Sequence, residues 1–176
     1  MRRQLRWTGW DGQGLDHCDV TNGPDGLTLD GVVAGQRGSL YGAHYRVRTD
    51  AAGATREVWL CYAGGPALKL RADGQGAWTD ALTGAALPAL DGCLDVDIGV
   101  TPATNTLPIR RLGLRAGESA DILVAYVSPP DLSVTAGRQR YTCLEPGRLY
   151  RYESLDGDFA RDVEVDGDGL VVEYPD

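Results

Sequence analysis

Along this chain apolar and polar side chains alternate with a period of two, and almost nowhere with the 3.6-residue period of a helix. From Ser39 to Arg48, Tyr41, Ala43, Tyr45 and Val47 share one face, with Leu40, Gly42, His44, Arg46 and Arg48 on the other. From Glu57 to Tyr62, Val58, Leu60 and Tyr62 oppose Glu57, Trp59 and Cys61. Successive side chains of an extended backbone point to opposite faces, so this pattern predicts half-buried strands. Leu27 and Leu29, with Val32 to Ala34, predict a first pair of strands after Asp25-Gly26. Ile122 to Val127 is apolar on both faces and predicts a strand covered on both sides, ended by Pro129-Pro130. Arg138 to Leu144 and Leu149 to Ser154 follow as strands, and Asp162 to Tyr174 reads as a closing hairpin.

Turn signals punctuate these runs at Asp11-Gly12, Asp25-Gly26, Asp30-Gly31, Gly64-Gly65, Asp73-Gly74, Asp91-Gly92, Asp156-Gly157 and Asp166-Gly167. Asp-Gly supplies the positive φ of tight hairpins. At about 12 residues per strand and turn, the chain has room for at most about fifteen strands. A sheet that long must curl and close, or split into two layers. The predicted fold is therefore all-β: a many-stranded antiparallel β-barrel, closed or partly open, with at most one short helix, in a single domain over residues 1–176. The helix candidate is Thr79 to Leu90, which Gly84 and Pro88 limit to a turn or two.

Composition narrows the functions. A hydrophobic content of 43% is that of a globular chain. The formal charge of −8 argues against a nucleic-acid surface, which would be basic. No run approaches the roughly 20 apolar residues that span a bilayer, so stable membrane insertion is not expected. The start, MRRQLRWTGW, lacks the apolar segment of a secretory signal. Cys18, Cys61, Cys93 and Cys143 are far apart, and His17 and His44 complete no ligand pattern. The expectation is a soluble cytoplasmic protein with reduced thiols, no metal and no cofactor. The predominance of arginine, with Lys69 the lone lysine, is read as genomic compositional bias without functional weight. Oligomeric state stays open.

Asp162, Glu164, Asp166, Gly167 and Glu173 fall on calcium-loop offsets, but without flanking helices. The alternation of Val163, Val165, Leu170 and Val172 fits a hairpin better. No nucleophile elbow, zinc-protease motif or phosphate loop is present.

One stretch gathers most of the chemistry: Asp91 to Leu114, DGCLDVDIGVTPATNTLPIRRLGL. Asp95 and Asp97 share one strand face, Val96 and Ile98 the other. Read as a second strand, Arg110 lies in register with Leu112 and Leu114, and Arg111 with Ile109. One arginine must then be buried, and a buried guanidinium needs a carboxylate or several carbonyls. The aspartates are the obvious partners, as a structural ion-pair network or as the polar anchor of a cavity. Thr101, Thr104, Asn105 and Thr106, between Pro102 and Pro108, either rigidify a loop or present donors and acceptors to a ligand.

At TPATNTLPIRR the chain resembles the putative glycolipid-binding family. Trp7 with Gly14-Leu15-Asp16, Asp73 to Trp78, Gln139 to Thr142, Val165 to Val171 and Tyr174-Pro175 carry the same likeness. It covers nearly the whole chain. Asp16 stands where the family commonly has Glu, and Ala103 where an aromatic is common. The resemblance implies a barrel similar to bacterial lipoprotein carriers, with a role in glycolipid metabolism or transport. It brings no catalytic residues. On this reading the partner is a glycolipid or other amphipathic small molecule, held at Asp95, Asp97, Asn105, Thr106, Arg110, Arg111, Arg140, Tyr126 and Tyr152. Trp59 and Leu123 join the tyrosines in covering its tail. The alternatives are an enzyme acting on a hydrophobic small molecule in the same cavity, or a purely structural or oligomer-forming barrel, which a lumen packed solid with side chains would support.

Overall fold

The structure is a computed structural model that describes residues 1–9, 12–129 and 131–174. Its first sheet is an antiparallel meander in chain order, curled into a half-barrel. The strands are β1 (Arg2–Thr8), β2 (Leu15–Gly23), β3 (Gly26–Arg37), β4 (Ser39–Thr49), β5 (Thr55–Tyr62), β6 (Ala67–Ala72) and β7 (Trp78–Asp80). The second sheet contains β8 (Asp95–Ile98), β9 (Ser119–Ser128), β10 (Ser133–Glu145), β11 (Leu149–Ser154), β12 (Ala160–Val165) and β13 (Val171–Glu173). Its order is β13-β12-β11-β10-β9-β8. The fold is all-β with one short helix, α1 (Thr106–Leu112).

Strands form where the alternation is strict. In β4, Ala43, Tyr45 and Val47 are buried, and in β5 Val58, Leu60 and Tyr62 are buried. Two seams join the sheets. At one, the Arg3 guanidinium reaches Asp166 at 2.9 Å and Asp168 at 3.1 Å, tying β1 to the turn before β13. At the other, Thr55 N donates to Leu94 O and the Trp78 indole N–H to Cys93 O, each at 2.8 Å. Both of those acceptors lie just before β8.

Three sequence expectations change. First, Asp30-Gly31 is not a turn but the middle of β3. A Cβ at Gly31 would overlap the Tyr45 ring and lie 2.8 Å from His17 O, so glycine is there to admit the tyrosine. At Gly26 the turn is real, with φ at +123°. Second, β8 runs parallel to β9, so the second sheet is not wholly antiparallel. Strand direction is set by the connection, and the residues between β8 and β9 include a helix that makes such a crossover possible.

Third, the helix lies at Thr106–Leu112, not between Thr79 and Leu90, which holds the end of β7, a turn and a 3-10 turn over Pro88–Leu90. The strand assigned to Arg110–Leu114 is therefore replaced. Pro108 sits in the first turn, where its missing N–H is no loss. Gly113 ends the helix in the left-handed region, with φ +56° and ψ +37°. Upstream, Thr101 caps a 3-10 turn over Pro102–Asn105 by accepting from Ala103 N at 3.1 Å. The Asp11-Gly12 and Pro129-Pro130 signals fall partly outside the described residues.

Alternation in β8 separates core from site. Val96 and Ile98, with Ala125 and Val127 of β9, join the larger apolar core formed with Val58, Leu60, Leu70 and Trp78. Asp95 and Asp97 point to the other face, towards α1. No helix among the described residues is long and apolar enough to cross a membrane.

Candidate functional site

A cavity of about 1340 Å³ opens between β1–β4 of the first sheet and β8–β11 with the final hairpin of the second. This exceeds the roughly 300–1,000 Å³ of ordinary small-molecule pockets. The space between the sheets is therefore not packed solid with side chains. Trp7, Val33, Tyr41, Tyr126, Tyr152 and Phe159 give its wall aromatic and apolar surface. Tyr152 stands edge-on to Tyr141 and to Phe159, with centroids 5.5 and 5.9 Å apart. The Arg161 guanidinium lies over Phe159 at 4.4 Å, fixing the end of the row.

The polar groups of the wall come from β2, β8, the 3-10 turn and β10. Asp16, only 4% exposed, accepts from Tyr45 Oη at 3.0 Å and from Thr101 Oγ1. Burial pushes its carboxyl up to about 6, against the pull of those two hydroxyls and of His17. Asp97 accepts from Gln139 Nε2 at 2.6 Å and from Thr104 Oγ1 at 3.2 Å, and burial raises its carboxyl above the ordinary range too. Asn105 Oδ1 accepts from the Tyr141 hydroxyl at 2.7 Å. Gln139, 3% exposed, has its Oε1 buried without a hydrogen-bond partner among the described residues.

Of the nine residues assigned to the ligand from sequence, Asp97, Asn105, Tyr126 and Tyr152 line this cavity, as does Thr101 of the threonine-asparagine cluster. Asp95, Thr106, Arg110, Arg111 and Arg140 do not. Asp95 is fully buried against Arg111, which holds it through Nε at 3.1 Å and Nη2 at 2.6 Å. That pair joins β8 to α1. Arg110 donates to the Asp168 carbonyl, and Thr106 Oγ1 accepts from Val171 N at 3.2 Å, so both anchor the last hairpin. Arg140 lies across from Asp121 on paired strands and meets it in an exposed ion pair at 2.6 Å. Trp59 is on the outer side of the first sheet, edge-on to His44, and Leu123 is exposed. Helical rather than extended backbone is the cause for the arginines: residues at 100° intervals cannot face where a strand would place them.

Sequence reasoning missed Asp16 and Gln139 as site residues. A signal existed for each. Asp16 is in phase with the buried Cys18 and Val20 of β2, and Gln139 with Tyr141 and Cys143 of β10. A polar residue in phase with a buried face demands an explanation.

The fold and its cavity define a class: all-β proteins in which a half-barrel sheet and a second sheet flank a large cavity of mixed aromatic and carboxylate lining. The chain belongs to the Putative glycolipid-binding family, whose model matches residues 4–176. It is similar to a crystal structure of a DUF1089 family protein from Pseudomonas aeruginosa, with 38% identity and a TM-score of 0.82. That match covers 96% of this chain and 92% of the other. No curated protein matches.

Proposed function

We propose that the protein binds an amphipathic small molecule reversibly in this cavity, a glycolipid in the sense of its family's name, as part of glycolipid metabolism or transport. The supporting observation is the cavity itself: one chamber of about 1340 Å³ that puts an aromatic wall and buried, unneutralised polar groups within reach of a single ligand. Binding sites of this kind are mostly apolar, with a few placed polar groups that fix orientation. Trp7, Tyr126 and Tyr152 would cover the tail, while Asp97, Asn105 and Gln139 would fix the head. The four cysteines are all free, which fits a reducing compartment, and we place the protein in the cytoplasm as one domain.

Gly137 tests the assignment, because it lines the chamber from β10. A Cβ there would meet Tyr126 Cβ at 3.5 Å and Val124 Cγ2 at 3.6 Å, ordinary contacts, so the backbone accepts a side chain and Gly137→Phe is expected to fold with its ring in the cavity. Titration with a fluorescent glucosyl lipid is expected to show binding that weakens at least about tenfold in Gly137→Phe, with the circular dichroism unchanged. Equal binding by both proteins would move the site elsewhere.

A second reading has one observation in its favour. Asp16 and Asp97 are carboxyls pushed upward by burial in one cavity, and such groups suit acid–base chemistry. Turnover on an ester and glycoside panel, abolished by Asp97→Asn, would establish the enzyme.

A further inference from the structure

We propose that the carboxylate end of the cavity is a subsite for a protonated amine on the ligand, so that the amphiphile taken up carries a cationic head such as an amino sugar. This rests on the binding function proposed above and names the chemistry of its head group.

The acceptors at that end outnumber the donors. Asp16 is held by two hydroxyls and Asp97 by one hydroxyl and one amide, all neutral groups. Gln139 adds a buried carbonyl oxygen that nothing among the described residues satisfies. A buried acceptor without a donor costs free energy, and it is met most simply by a donor that arrives with the ligand. Asp97 and the amide oxygen of Gln139, whose Nε2 it accepts from, present adjacent acceptors that match an ammonium, which has three N–H donors and no acceptor, while Asp16 adds negative charge to the same cavity wall.

Charge selects the ammonium over a neutral hydroxyl. Every side chain facing Asp16 from β2 and β4 is neutral or acidic, namely Tyr41, Tyr45 and Cys18, apart from His17, which lies 3.7 Å from Asp19. Asp97 is faced by Tyr141, Tyr152 and Tyr174; the half-buried Arg161 lies beyond Tyr174 with its guanidinium over the Phe159 ring, and Arg111 is committed to Asp95. Arg6, Arg37 and Arg138 also line the cavity, but all three are exposed and stand at its rim, and Arg37 donates to Gly99 O at 2.8 Å. Burial already desolvates both carboxyls, so a neutral head leaves their charge uncompensated, whereas an ammonium supplies the counter-charge.

The two cases have opposite proton linkage. A cationic ligand favours ionised Asp16 and Asp97, so its affinity rises with pH through about 6. A neutral ligand that only desolvates them binds better as pH falls. Isothermal titration with octyl 2-amino-2-deoxyglucoside and octyl glucoside, which differ in one group, separates them. At pH 7.5 the amine is expected to bind at least about tenfold more tightly than the alcohol. That preference should shrink at pH 5, and should fall in both Asp97→Asn and Asp16→Asn while octyl glucoside binding persists. Equal affinity of the two glycosides, or a preference indifferent to pH and to both substitutions, overturns the amine subsite and leaves the binding function standing. If neither glycoside binds, the binding function falls and the subsite with it.

Discussion

Replacing Arg111 by alanine is expected to destabilise the fold by about 3–5 kcal/mol, the cost of leaving one buried partner of an ion pair without its counter-charge. Asp95 is 0% exposed, and three hydrogen-bond contacts from Arg111 to its two oxygens hold it. Burial keeps the Asp95 carboxyl above the ordinary range even with the guanidinium beside it. Without Arg111 that carboxyl must take up a proton or drag water into the core. Packing is lost as well, because the loop at Gly53 rests on the arginine stem: a Cβ there would lie 3.2 Å from Arg111 Cβ. The urea midpoint should fall accordingly. Replacing both partners together, Asp95→Leu with Arg111→Met, should recover much of the loss, since the desolvation of both charges is removed with them. A single substitution costing under about 1 kcal/mol would mean the pair is solvated like a surface bridge.

The second large effect concerns Asp16 and has the opposite sign. Its carboxyl is held at about 6 in the folded protein against an ordinary 3.8. A raised folded value means that the native state binds the proton more tightly than the unfolded chain. The resulting stability is fully present below pH 4 and is lost as pH rises through 6. The difference corresponds to about 3 kcal/mol once both states are ionised. Asp16→Asn, which keeps an oxygen for Tyr45 and Thr101, is therefore expected to be the more stable protein at pH 8. Its advantage should shrink to nothing or reverse near pH 4. Urea unfolding of both proteins across pH 4–8 checks this, and parallel curves would contradict it. A carboxylate that lowers stability at neutral pH, yet stands in the cavity wall, is what a functional residue looks like.

Much of the fold was legible from local pattern. In β4, and in β5 from Val58 on, the buried residues are those in phase with the alternation, and the turn at Gly26 has the positive φ that Asp-Gly announces. What could not be read was set by distant parts of the chain. TLPIRRL contains a proline and two β-branched residues, and its helix is held by contacts to β8 and the last hairpin rather than by propensity. The parallel pairing of β8 and β9 likewise has no local signature. The candidate site was half legible. Asp97, Asn105, Tyr126 and Tyr152 meet in the cavity, whereas the arginines turn away because the backbone there is helical. Asp16 comes from a strand 81 residues before Asp97 in the chain, brought close by the wrap of the first sheet.

Whether the cavity holds an amphiphile is read by native mass spectrometry of the protein purified from its own host, followed by lipid extraction. A bound species of lipid mass is expected, released on extraction and absent from Gly137→Phe prepared in the same way. An empty wild-type protein that also fails to take up any member of a glycolipid panel would contradict it.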